Sequence, residues 1–193
     1  VTGALLGFAE RTPWLHTIVS AYTNGALFLL AIVMVVAWWR ARRRSPVVAA
    51  TALWAPVAVL LAYGVSNLVK VLVREPRPCQ VLHVVTVAPC DYVTDYALPS
   101  NHATVAAAAA VGILLTDRAQ GLTATALTLL VGVSRVYLGA HYPHDVLIGF
   151  LVGAAIGATG LWAHRLLVDR VPPVLITTRS HPASVPSTPR ERP

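Results

Sequence analysis

The sequence predicts an all-α, polytopic transmembrane helix bundle of about five spans, with a candidate site at its outer membrane face. Three observations carry that reading. Mean hydropathy is +0.65, and the 193 residues are 56% hydrophobic and only 12% charged, well below the roughly 25% of soluble proteins. Several apolar runs approach or exceed the roughly 18 residues that cross a bilayer. The basic excess, 15 Lys and Arg against 8 Asp and Glu, sits beside those runs, most densely at Arg40, Arg42, Arg43 and Arg44. Basic residues so placed set topology and meet anionic headgroups, which argues against nucleic acid as a partner despite the +7 charge.

Three segments are expected: an N-terminal interfacial segment 1–16, a transmembrane domain 17–168, and a disordered, Pro-rich cytoplasmic tail 169–193. No removable signal peptide is expected. In the first segment Trp14 reads as an interfacial belt residue. The first span, 17–39, ends at Trp38 and Trp39 before the arginine cluster, which the positive-inside rule places in the cytoplasm. A second span, 47–73, returns outward with Ser66, Asn67 and Lys70, the only lysine, in its last turns. The polar loop 74–99 carries both cysteines, Cys79 and Cys90, which an oxidising exterior would allow to pair. His83, Arg74, Glu75 and Asp95 in that loop read as solvated, with shaping of a headgroup pocket as their functional alternative. A short alanine-rich span, 102–116, whose length alone also suits a buried core helix, leads to the corner at Asp117 and Arg118; a fourth, 121–140, climbs back out; a fifth, 145–163, descends. Gly149, Gly153 and Gly157 in the last form a four-residue row suited to close helix packing in lipid.

With five spans, Lys70, Arg77, Ser100, His102, Arg135, His141 and Asp145 all fall at the outer face. Ionisable groups at membrane depth mark functional sites. Three cations at one membrane edge suit an anion of more than one charge, and phosphate fits because guanidinium forks bind its oxygens in pairs. Ser100 is a good N-cap, and the helix it opens presents free amides to an anion. His141 and Asp145 stand four apart, so the carboxylate can fix the imidazole tautomer while the ring attacks phosphorus. His102 then protonates the leaving oxygen and activates water. His144 lies beside them, but the crowd of cations argues against a metal, and none is expected.

The spacing Lys70-x6-Arg77-Pro78, Pro99-Ser100-x-His102 and Ser134-Arg135-x5-His141-x3-Asp145 resembles the three-part signature of the type 2 phosphatidic acid phosphatase superfamily. Those proteins are metal-independent lipid phosphatases related to vanadium haloperoxidases, and the resemblance covers roughly 17–165. It implies His141 as nucleophile, His102 as acid and base, and Asp145 as orienter. It implies phosphate contacts from Lys70, Arg77, Ser100 and Arg135, with no cofactor. The family's usual glycine is Asn101 here, an αL-tolerant residue whose amide is expected at the ligand. That replacement resembles the branch acting on undecaprenyl or decaprenyl diphosphate, which recycles a cell-wall lipid carrier. The implied alternatives are phosphatidic acid, phosphatidylglycerophosphate or a polyprenyl phosphoribose phosphate as substrate. A lipid transporter or anion-binding membrane protein is the non-enzymatic reading. About five spans, against the family's common six, leave the N-terminal packing as the open part of the comparison.

Overall fold

The computed structural model describes residues 2–82, 86–89 and 95–170. His83, Cys90 and the tail from 171 onward lie outside the described residues. Nine helices form among the described residues: α1 (Thr2–Arg11), α2 (Pro13–Ala41), α3 (Pro46–Ala52), α4 (Trp54–Val73), α5 (Pro78–Leu82), α6 (Asn101–Leu114), α7 (Arg118–Tyr137), α8 (Pro143–Ala158) and α9 (Gly160–Arg170). Pro13, Pro46 and Pro143 each stand at a helix start, where the missing N–H is no loss and the fixed φ is already helical. Ser45 and Asp117 cap α3 and α7 by accepting from Val48 N and Gln120 N at 3.1 and 3.2 Å.

α6 is the axis of the bundle. Its Ala103, Ala106 to Ala110 and Ile113 are all buried, and α4, α7 and α8 pack around it. The alanines and the α8 glycines explain how closely. A Cβ on Gly153 would stand 2.0 Å from Thr104 O, and on Gly149 and Gly157 2.9 Å from Ser100 O and Ala108 O. The glycine row of α8 therefore lies directly on the α6 backbone, in parallel register, as small residues allow. Gly112 meets Ala55 of α4 in the same way. Large apolar side chains such as Phe28, Ile32, Leu60, Leu72, Leu147 and Leu151 point outward and are exposed, the inverse of a water-soluble core and the surface a lipid environment calls for.

Three helices are long and apolar enough to cross a membrane, Pro13–Ala41, Pro46–Val81 and Pro143–Leu166, among the described residues. This corrects the expected count of about five. The expected third span is the 14-residue α6, about 21 Å long against a core of about 30 Å. The expected fourth is α7, which has 20 residues but spends them on Arg118, Gln120, three threonines, Ser134 and Arg135. The first span also begins earlier than expected, at Pro13.

The two ends of the bundle differ in chemistry. At one end Arg40 Nε and Arg44 Nη2 reach Asp117 Oδ2 at 3.1 and 3.2 Å, and Arg42 lies over the Trp39 ring at 3.4 Å. At the other end α1 docks on α7 through Tyr137, whose hydroxyl donates to Thr12 O at 3.0 Å. The N-termini of α6 and α8 and the C-termini of α4 and α7 also meet at that end: Ser100 N donates to Asp145 O at 3.1 Å, and Ser134 Oγ at the end of α7 to Thr23 Oγ1 at 3.0 Å.

Candidate active site

The expected site residues arrive at this second end from the termini of four helices, α4, α6, α7 and α8. Lys70 occupies the last turn of α4, Arg77 follows its break, Ser100 and His102 open α6, and Arg135 closes α7. Gly139 then takes φ 73°, a left-handed conformation that glycine adopts at no steric cost. The chain leaves α7 there and delivers His141 beside the start of α8. Asp145 Oδ2 accepts the N–H of Tyr142 at 2.7 Å and stands 3.6 Å from His141 Nδ1. His141 and Asp145 are only 2% and 0% exposed, so the imidazole has one carboxylate neighbour and little water.

Burial first, then Arg135, Arg77 and Lys70, push the His141 pKa well below its usual 6.5. Burial, then Arg135 and His141, lower that of His102 to about 4. Both shifts favour the neutral rings at pH 7. A dianion bound between the cations would cancel much of their field and restore proton affinity to His102.

The cations are engaged with one short segment. Arg77 Nη2 bonds Asp95 Oδ2 at 2.6 Å and its Nε donates to Asp95 O at 3.1 Å. Lys70 Nζ donates to the Tyr96 carbonyl and lies 4.0 Å from Asp95 Oδ1. Asp95 was expected to be solvated, and pairing across 18 residues of aperiodic loop left no pattern to read. Glu75, also expected to be solvated, holds His144 Nε2 at 2.7 Å.

Asn101 is placed differently from the expectation of a ligand contact. Its Oδ1 accepts from Ser66 Oγ at 2.5 Å and its Nδ2 donates to Asn67 Oδ1 at 3.0 Å. Its amide thus ties the start of α6 to α4, one turn before Lys70. Cys79 is disulfide-bonded, and Cys90 is the only other cysteine in the chain.

Among the described residues, six buried side-chain polar atoms lack a hydrogen-bond partner, and four of them belong here: Ser100 Oγ, Arg135 Nε, His141 Nδ1 and Asp145 Oδ1. Buried polar atoms are ordinarily satisfied, so four orphans at one end of one bundle describe a site shaped for something polar. Two cavities lie apart from these four residues among the described residues, one of about 710 Å³ beside His16, Ser20 and Asn24 and one of about 350 Å³ beside Trp54.

The PAP2 superfamily profile matches residues 51–169. Undecaprenyl-diphosphatase BcrC of Bacillus subtilis is 29% identical over 154 residues, 80% of this chain and 77% of its own. Decaprenylphosphoryl-5-phosphoribose phosphatase of Mycobacterium tuberculosis is 37% identical over 131 residues, 67% of each chain. The crystal structure of a PAP2-type phosphatidylglycerolphosphate phosphatase from Bacillus subtilis superposes with a TM-score of 0.58 at 20% identity, covering 89% of this chain and 87% of that one. At that identity the likeness speaks for the fold.

Proposed function

The chain belongs to the PAP2 superfamily, and from that premise we propose that it removes the terminal phosphate of a polyprenyl-linked phosphate through a phosphohistidine on His141. Membership makes it a multi-pass, metal-independent membrane phosphatase acting on lipid phosphates. The observation that carries the residue assignment is the set of four buried, unpartnered polar atoms at the helix ends.

In this reading Lys70, Arg77, Arg135 and Ser100 hold the phosphoryl oxygens, together with the free amides at the start of α6. Asp145 fixes His141 with Nδ1 toward its carboxylate, which leaves Nε2 to attack phosphorus. The bond to the bridging oxygen breaks as His102 gives that oxygen a proton. His102, now neutral, takes a proton from water, the hydroxide attacks the phosphohistidine, and orthophosphate leaves with His141 restored. Asn101 acts from the start of α6, bonding Ser66 and Asn67 of α4 and so holding Lys70 and Ser100 at fixed separation.

Polyprenyl diphosphate is the leading substrate, because three cations suit a diphosphate, and hydrolysis would return a cell-wall lipid carrier to its monophosphate. A polyprenyl phosphoribose phosphate is the second reading, favoured by the 37% identity to the mycobacterial enzyme. The site would face the extracytoplasmic side. Two features support this: the arginine cluster occupies the opposite end of the bundle, and Cys79 is disulfide-bonded beside Arg77.

The test is phosphate release by the purified protein in detergent with EDTA, comparing polyprenyl diphosphate, polyprenyl phosphoribose phosphate and phosphatidylglycerophosphate. His141→Ala supplies the blank. Preference for the diphosphate supports carrier recycling, and preference for a monoester moves the role to another lipid phosphate. No release by a folded protein would return the chain to binding or transport without catalysis.

A further inference from the structure

Asp145 has a second oxygen that the phosphatase mechanism leaves unused. Oδ2 faces Tyr142 N and His141, whereas Oδ1 is buried without a hydrogen-bond partner and points at His144 Nε2, 3.3 Å away. Beyond it lies Glu75, whose Oε1 is 2.7 Å from the same nitrogen. The three donor atoms all fall within 4.8 Å of one another.

The local structure holds them there. Arg74 takes φ 55° at the end of α4, which turns the chain so that Glu75 faces the start of α8. Ala97 N donates to Glu75 O at 2.7 Å and fixes that turn. The His144 ring stacks on Tyr142 at 5.3 Å and 10°. His144 is exposed and Asp145 is fully buried, so the trio opens to solvent at one side and touches the His141 dyad at the other.

We infer that Glu75, His144 and Asp145 form an inhibitory site for a transition-metal dication of the Zn2+ class; the consequence for activity rests on the phosphatase reading above. One imidazole and two carboxylates suit Zn2+ and its neighbours, whereas Mg2+ and Ca2+ favour sets made of oxygen alone. Bonds of about 2.0–2.2 Å at tetrahedral angles put donors roughly 3.3–3.5 Å apart, and the observed 2.7 and 3.3 Å need only small shifts to reach that spacing. Two negative charges offset the dication. Lys70 and Arg77 already share Asp95. Binding draws charge out of the Asp145 carboxylate, weakening its hold on the His141 tautomer, while Lys70, Arg77 and Arg135 stay open to substrate. The inhibition is therefore a loss of kcat with KM little changed.

The experiment titrates ZnCl2 into the full-length protein in detergent and follows phosphate release for the wild type, Glu75→Gln and His144→Ala. Zn2+ affinity is measured in parallel by calorimetry on His141→Ala, which keeps the three donors and performs no turnover. The expected result is at least about tenfold loss of wild-type kcat, reversed by EDTA, with each variant needing about 10–100-fold more Zn2+. Both variants should keep their activity without metal. A wild type indifferent to Zn2+, or variants inhibited at the wild-type concentration, would overturn the inference. Because calorimetry does not depend on turnover, saturable Zn2+ binding by a protein that releases no phosphate would sink the phosphatase reading and leave the metal site standing.

Discussion

Arg77 bonds both the carboxylate and the backbone oxygen of Asp95, and Lys70 lies 4.0 Å from the same carboxylate, so a phosphate reaching these cations replaces an anion already in place. The Asp95 side chain is 39% exposed, which keeps the exchange within reach of solvent. Asp95→Asn removes the competing charge and leaves an amide able to bond Arg77. The KM for substrate and the inhibition constant of orthophosphate should both fall by about 3–10-fold, with kcat within about twofold, a modest change because partly exposed ion pairs are worth roughly 1 kcal/mol. A raised KM would show instead that Asp95 serves to hold Arg77 in position. The residues that gather at this end were legible in the sequence as candidates for the proposed phosphate site, because Lys70, Arg77, His102, Arg135, His141 and Asp145 are rare chemistry in an apolar chain. Asp95 and Glu75 were not, since in a polar loop every acid looks alike until tertiary structure chooses its partner. Asn101 was legible as a departure, but its engagement with Ser66 and Asn67 depends on α4 lying beside α6.

Parallel contact between α6 and α8 is what sets His102 opposite His141, and Gly153 is its tightest point. A Cβ there stands 2.0 Å from a backbone oxygen that has nowhere to go, so Gly153→Ala should cost about 1–3 kcal/mol as an overpacked contact. Thermal unfolding in detergent should show a lower Tm. Activity at permissive temperature should fall too, because the two helix starts are pushed apart. At the other end of α6, Asp117 couples the α7 cap to Arg40 and Arg44. Burial pushes its pKa up, but the Gln120 N–H and the two arginines more than offset this and hold it below the usual 3.8. A carboxylate with a depressed folded-state pKa stabilises above its unfolded value and loses that contribution as pH falls through the folded one. Asp117→Asn should therefore lower the Tm at neutral pH, by about 1–2 kcal/mol in stability, and the gap to wild type should close below about pH 4. A gap that persisted in acid would assign the effect to packing. At this scale the glycine row announced the α6–α8 contact, whereas the span count failed. Apolar character alone did not separate α6, short and enclosed by its neighbours, from a helix that crosses lipid.

The whole molecule is polarised end to end, and that polarity decides which way it sits in a bilayer whatever the number of spans. Arg40, Arg44 and Asp117 meet at one end. Lys70, Arg77, His102, Arg135 and His141 gather at the other, separated by the 14 residues of α6, about 21 Å. The basic end gathers Arg40, Arg42, Arg43 and Arg44 around the buried Asp117, and arginine clustered beside a span is retained in the cytoplasm. The site end carries the disulfide-bonded Cys79, which persists in an oxidising compartment. Both signals support the outward orientation proposed above, and each stands without the other. Glu10 is exposed near the site end, and Arg118 is exposed at the basic end, so each accepts a reporter. Glu10→Cys and Arg118→Cys, treated in intact cells with a membrane-impermeant maleimide, should differ: the first labelled directly, the second only after permeabilisation. The unsubstituted chain gives the background from its own cysteines. The reverse pattern would place the arginines outside and the phosphate site in the cytoplasm. Cytoplasmic hydrolysis could not return a carrier at the outer leaflet, and the proposed recycling role would fall while the His141 chemistry remained.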